Sequence, residues 1–354
     1  METKRQKVVV ALSGGVDSSV AAALLKQQGY EVVGVHMKLW SANPNKKIQR
    51  ETQERLKKVA SVLGISLQIV DLGREFKKRV VNYFLGELKK GRTPNPCVVC
   101  NKEIKFGLLL GLAKRLGADF LATGHYVRKG GAGNIYKLLK AKNLEKDQSY
   151  FLWKLNQRQL KRLLFPIGNF KSKREVREVA AKLGLPTAQT TESNDVCFLQ
   201  NMDIDSFLQS YKGGLRKVGK ITTKDGEAIG EHQGLCFYTI GQRKGIGLSD
   251  GPWFVIAKDI KKNALVVSKN EKDLLQKEVI AENVNWISGV EPKLPLKVKA
   301  KVRYRSGLSS ATIVEKMSKV RYKIIFINSQ RAVTCGQSVV FYEGDKLLGG
   351  GIIS

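Results

Sequence analysis

The chain is poor in acid. Only 31 Asp and Glu stand against 62 Lys and Arg, a formal net charge of +31 over 354 residues. So large a surplus argues against a neutral, self-contained surface and points to a polyanionic partner. Long apolar runs are also missing: none approaches the roughly 20 residues of a membrane span. No amphipathic anchor or lipidation signal accompanies the charge, so no membrane partner is expected. The apolar run Val8–Leu12 is too short for a secretion signal and has no cleavage-like end, so a cytosolic location is expected. Cysteine is scarce: Cys97, Cys100, Cys197, Cys236 and Cys335. In the cytosol they should stay reduced, which disfavours a structural disulfide framework. There is no second Cys-x-x-Cys and no closely spaced His pair, so a structural zinc site lacks half its ligands. Neither Gly-x-x-x-x-Gly-Lys-Ser/Thr nor Gly-x-Gly-x-x-Gly occurs, which excludes the ordinary nucleoside triphosphatase loop and a dinucleotide fingerprint.

What is present divides the chain. The first half alternates short apolar runs with helical patterns, which predicts an α/β domain built on a Rossmann-like parallel sheet. Strands are expected at Val8–Leu12, Glu31–Met37, Ile65–Leu72 and Asp119–Thr123. Helices are expected at Ser18–Gln28, Lys46–Leu63, Glu75–Lys90 and Ile104–Leu116. From Gly213 the texture becomes β-rich, with strand-like runs including Gly234–Ile240. We expect a catalytic domain over 1–212, a small central β-rich domain over 213–276, and a C-terminal β-barrel-like domain over 277–354.

Ser13-Gly14-Gly15-Val16-Asp17-Ser18-Ser19 joins the first strand to the first helix. Glycines allow a tight turn with backbone N–H groups against an anion, and the helix start adds partial positive charge. Asp17 adds negative charge, which suits a phosphate site if Mg²⁺ lies nearby. Farther on, Cys97-Val-Val-Cys100 lies in a proline-stiffened loop before a helix expected to begin near Asn101. A helix start with Lys102 and Lys105 nearby should lower the Cys100 thiol pKa. Cys236, in a β-like run, and Cys335, in a turn, read as packing residues.

Ser-Gly-Gly-x-Asp-Ser after a buried strand resembles the loop of the ATP pyrophosphatase (PP-loop) superfamily. The series continues with Arg92-Thr-Pro-Asn-Pro, Cys100-Asn-Lys-Glu-Ile-Lys-Phe, Ala122-Thr-Gly-His-Tyr and Lys146-Asp-Gln-Ser-Tyr-Phe-Leu. It ends with Phe237-Tyr-Thr-Ile-Gly-Gln-Arg-Lys-Gly, Arg303-Tyr-Arg and Gln337-Ser-Val-Val-Phe-Tyr. Over nearly the whole chain this is similar to the bacterial tRNA-specific 2-thiouridylases.

The resemblance implies ATP on Ala11, Leu12, Ser13, Gly14, Gly15, Val16, Asp17 and Ser18, flanked by Met37 and Gly124. It implies adenylation of O2 of a wobble uridine, at position 34 of Glu, Gln and Lys acceptor tRNAs, and its replacement by sulfur. Cys197 would carry a persulfide from a sulfur-donor protein, and Cys100 would release the sulfur through a transient Cys100–Cys197 disulfide. Asn95, Pro96 and Cys97 would line the base. His125, Lys146, Asp147, Gln148, Arg303, Tyr304 and Gln337 would contact the RNA.

Two departures stand out. Family members often carry Asp at position 97, and many have an acidic stretch where this chain is short and Lys-rich after Trp40. Three thiolates at 97, 100 and 197 would equally ligate an iron–sulfur cluster with one open iron. Persulfide and cluster routes both stay open on sequence. Two other functions compete: an amidating synthetase of the same superfamily, which needs no cysteines, and a non-enzymatic RNA-binding protein carried by its charge.

Overall fold

The structure, a computed structural model, describes residues 5–133, 135–191, 196–199, 202–211 and 216–354. Residues 192–195, ahead of Cys197, and the expected boundary at 212–213 lie outside the described residues.

Strand β1 (Lys7–Ala11) reads Lys-Val-Val-Val-Ala. β-Branched side chains suit a pleated backbone, and three in succession leave neither face polar, so both faces must be covered. Val9 packs with Phe106 and Leu109 on one side. Val8 and Val10 pack on the other with helices α1 (Val16–Gln27) and α2 (Lys46–Leu63). β2 (Glu31–Lys38), β3 (Ser66–Asp71) and β4 (Phe120–Ala122) extend the sheet. β5 (Val127–Ala132) and β6 (Ile135–Lys140) leave it as a hairpin, and β7 (Leu163–Leu164) returns to it. The order is β3-β2-β1-β4-β7, every neighbouring pair parallel. The winding direction reverses between β1 and β4, where a doubly wound sheet opens a crevice at its carboxyl ends.

Helix α2 has the expected bounds. The Asn45 side chain caps it, accepting from the Lys47 and Ile48 amides, and Leu56, Val59, Ala60 and Leu63 form its buried face. Ile48, in the first turn, is exposed. The helix expected from Ile104 starts earlier. It begins at Pro96 behind the cap residue Asn95 and runs to Arg115, with π-type turns over Asn101–Leu109. Proline's fixed φ suits a first helical position, so Pro96 starts the helix rather than stiffening a loop.

The central strands are β8 (Gly219–Thr222), β9 (Ala228–His232), β10 (Phe254–Asp259) and β11 (Ala264–Ser268), in the order β10-β11-β8-β9. The strand-like run Gly234–Ile240 is not a strand. It makes a 3₁₀ turn at Leu235–Phe237, and spacing of three brings Leu235 and Tyr238 into one core with Val255, Leu265 and Val267.

The last six strands are β12 (Leu275–Trp286), β13 (Leu296–Lys301), β14 (Ser309–Ser318), β15 (Arg321–Arg331), β16 (Ser338–Glu343) and β17 (Lys346–Ile353). They form an antiparallel barrel in which β17 pairs back onto β12. β6 also pairs with β17, so the hairpin of the first domain joins the barrel sheet. Trp153 Nε1 donates to Ser338 Oγ at 3.0 Å, and Asn285 Nδ2 donates to the Trp153 carbonyl at 2.7 Å. No helix among the described residues is long and apolar enough to cross a membrane.

Candidate active site

The turn after β1 is held by its own serines. The Ser13 amide and hydroxyl both meet Ser18 Oγ at 3.2 Å. Ser18 and Ser19 hydroxyls donate to the Gly15 carbonyl at 3.1 and 3.0 Å. Gly14 bends the chain with φ +85°, a conformation that suits glycine. α1 starts at Val16, so its positive end faces this loop. Leu12, expected among the ATP contacts, is buried, and its amide continues the pairing to the Val35 carbonyl.

Asp17 pairs with Lys173, whose Nζ reaches Oδ1 at 2.7 Å and Oδ2 at 2.8 Å. The Tyr126 hydroxyl also donates to Oδ1, at 2.8 Å. Gly124 follows β4 and lies against the loop: a Cβ there would sit 2.7 Å from the Ser18 amide nitrogen and 2.8 Å from the Asp17 carbonyl carbon. Ala11 ends β1 and Met37 is the penultimate residue of β2. The candidate nucleotide residues therefore gather at the carboxyl ends of adjacent parallel strands.

The thiols come from two segments. Cys97 and Cys100 lie on one helix, Cys97 exposed and Cys100 buried. Cys197 is exposed but is followed by wholly buried Phe198, whose ring packs against Phe76, Phe84 and Phe207. Burial pushes the Cys100 thiol up to about 11, with the Lys105 charge opposing it. Burial pushes Cys197 up to about 12, aided by Cys100 and Cys97, again against Lys105. Cys97 is also raised by burial. Cys97 and Cys197 thus keep a solvent-facing surface in a crevice crowded enough for lost hydration to control their thiols.

The expected lowering at Cys100 is overturned. The helix starts at Pro96, so Cys100 sits past its first turn, and desolvation outweighs the lysine. All five cysteines are free thiols. Among the described residues no three or more His, Cys, Asp or Glu side chains are placed to hold a metal ion. Cys335 is exposed rather than packed. Cys236 is core, in the same cluster as Cys100, Phe198 and Phe207.

Several residues expected to touch RNA also bond to protein groups. His125 is buried; Nδ1 bonds Thr123 Oγ1 at 2.8 Å and Nε2 meets Lys105 Nζ at 3.4 Å. Burial first, then Lys105, holds its pKa well below the usual range, so the ring is neutral. Buried Asp147 accepts from the Ala141 amide at 2.9 Å and the Ser149 hydroxyl at 2.7 Å. Gln148 accepts from the Tyr126 amide. Arg303 Nη2 donates to the carbonyls of Ile240 at 2.8 Å and Ala332 at 2.6 Å, fastening the central domain to the barrel. Gln337 Nε2 donates to the Thr93 carbonyl at 2.9 Å, tying the barrel to the segment that carries Asn95, Pro96 and Cys97. Tyr304 packs on Phe151 with centroids 4.4 Å apart. Lys146 is half-buried.

Residues 6–201 match the family described as tRNA methyl transferase HUP domain. Residues 205–269 match its PRC-barrel domain, and 276–353 match an aminomethyltransferase beta-barrel domain. The tRNA-specific 2-thiouridylase MnmA of Thiobacillus denitrificans is 47% identical over 358 residues, covering 98% of this chain and 99% of that one. The protein of that name from Halalkalibacterium halodurans is 44% identical, covering 100% of this chain and 96% of the other. This chain belongs to the tRNA-specific 2-thiouridylase family. Among solved structures, the U34-tRNA thiolase NcsA from Methanococcus maripaludis with its [4Fe-4S] cluster is 21% identical, with a TM-score of 0.36. It covers 55% of this chain and 62% of the other.

Tyr126 and Lys173 are site residues that sequence reasoning misses; Lys105, read from sequence for its charge beside Cys100, also meets His125. Tyr126 stands in the Ala122–Tyr126 motif, but nothing local indicates its partner, Asp17. Lys173 is 156 positions from Asp17 and had no sequence signal.

Proposed function

We propose that this chain activates O2 of a tRNA wobble uridine with ATP and replaces it with sulfur carried on Cys197. The chain is a tRNA 2-thiouridylase: relatives with that name share 44–47% of its residues over nearly its whole length. The observation that carries the chemical reading is one chain that holds both a glycine phosphate loop and thiols from distant segments close enough to perturb one another.

O2 of the uridine attacks the α-phosphorus, and pyrophosphate leaves with the bonding electrons. The adenylate makes O2 a good leaving group. The terminal sulfur of a Cys197 persulfide adds to C2 and AMP departs. The Cys100 thiolate then takes Cys197 Sγ, leaving the thione on C2 and a Cys100–Cys197 disulfide for an external dithiol to reduce. Mg²⁺ enters with ATP as part of the substrate. A donor protein with a persulfide supplies the sulfur, and the reaction belongs in the cytoplasm, where tRNA is the polyanion that the +31 charge meets.

Single-turnover thiolation of unmodified tRNA under anaerobic conditions tests the reading. Cys100→Ser and Cys197→Ser should each abolish 2-thiouridine. Full activity in either returns the amidating alternative. ATP left intact with tRNA and a sulfur source present returns the RNA-binding one. Iron and acid-labile sulfide at cluster stoichiometry, lost in Cys97→Ser, would replace the persulfide.

A further inference from the structure

Helix α2 lies across the apex of the phosphate loop. The position a Cβ would take at Gly14 is 3.0 Å from Thr52 Cγ2 and 3.8 Å from both Nε and Nη2 of Arg55. Arg55 is oddly provided for. Among the described residues its Nε, shut off from solvent, has no hydrogen-bond partner, and its Nη2 makes a long contact, 3.5 Å, to Thr52 Oγ1. No carboxylate pairs with it among the described residues, although Glu51 and Glu54 are close in sequence.

A guanidinium N–H turned from water without an acceptor is costly, and it is placed beside a glycine turn and a helix start that already favour an anion. Both features are relieved by one occupant, an oxyanion on the loop. Guanidinium offers a planar fork that matches phosphate oxygens. We propose that Arg55 binds the β- and γ-phosphates of ATP and holds the pyrophosphate as it leaves, adding a cation from α2 to the loop's own amides and hydroxyls. This rests on the reading of Ser13–Ser18 as an ATP loop.

The test is equilibrium binding of ATP, inorganic pyrophosphate and AMP to the full chain, with Arg55→Met and Arg55→Lys. Methionine keeps an apolar stem against the loop but removes the fork. ATP and pyrophosphate should bind about 10- to 100-fold more weakly in Arg55→Met, and AMP less than threefold. Lysine should recover part of the loss. Melting temperature reports whether each variant is folded, and if the methionine variant is not, the lysine variant carries the same ATP-to-AMP comparison. Equal losses for AMP and ATP, or no loss for either, would overturn the proposal. So would an equal weakening of tRNA binding without ATP, which would assign Arg55 to the RNA backbone. If the unaltered chain binds neither ATP nor pyrophosphate, the ATP-loop reading itself fails.

Discussion

Ser13, Gly15, Ser18 and Ser19 bond to one another within a single strand–helix turn, whereas the segments that carry Cys100 and Cys197 come together only where Phe198 packs into a shared core. The loop carries its conformation in its own residues. Only its charge balance is imported, through Lys173 and Tyr126. In the thiol crevice most is imported: the crowding and, between Cys197 and the Cys97–Cys100 helix, the neighbouring sulfurs, while the opposing Lys105 is local to Cys97 and Cys100 and distant in sequence only from Cys197. A site made of local hydrogen bonds has much the same chemistry wherever it is placed. A site made of desolvation takes its chemistry from its surroundings.

The sharpest way to break this comparison is at the loop. Gly124→Ala would push a methyl into the Ser18 amide and Asp17 carbonyl carbon, which are backbone and cannot rotate away. We expect tRNA-dependent AMP formation to fall about 100-fold, with alkylation of the thiols unchanged. Full activity would mean that the loop tolerates displacement.

The next effect belongs to the crevice alone. Cys100 and Cys197 are raised by burial to about 11 and about 12, so at neutral pH each is a protonated thiol. Below such a pKa the thiolate fraction rises about tenfold per pH unit. Iodoacetamide labelling should therefore climb about tenfold per unit from pH 7 to pH 9, while ATP affinity stays level. A labelling rate that bends over between pH 8 and pH 9, as for an ordinary thiol, would mean that the crevice does not desolvate them.

The smallest effect separates burial from charge. Lys105 opposes burial at Cys97, Cys100 and Cys197. Lys105→Met should slow labelling about threefold to tenfold at pH 8 and leave ATP binding unaltered. Faster labelling would reverse the assigned role.

Much of the fold was legible because it rests on periodicity. Lys46–Leu63 spaces Leu56, Val59, Ala60 and Leu63 on one helical face and appears with those bounds. Val8–Val10 could only be a strand covered on both sides. The run Gly234–Ile240 misled, because alternation over so few residues fits a turn as well as a strand. The β5–β6 hairpin also escaped notice. Its place is fixed by β17 at the far end of the chain, and no local pattern reports that pairing.

The sequence by itself determined the glycine–serine turn at Ser13–Ser19, the three-part architecture and the family, because glycine turns, capping serines and apolar spacing act over a few residues and leave their mark in order. Only the tertiary structure decided that Asp17 answers to Lys173, that His125 is a buried neutral ring, that Arg303 is a clamp between domains, and that Cys100 is a raised thiol. Each of those outcomes depends on desolvation and charge at distances of a few ångströms, set by residues that packing, not chain order, brings together.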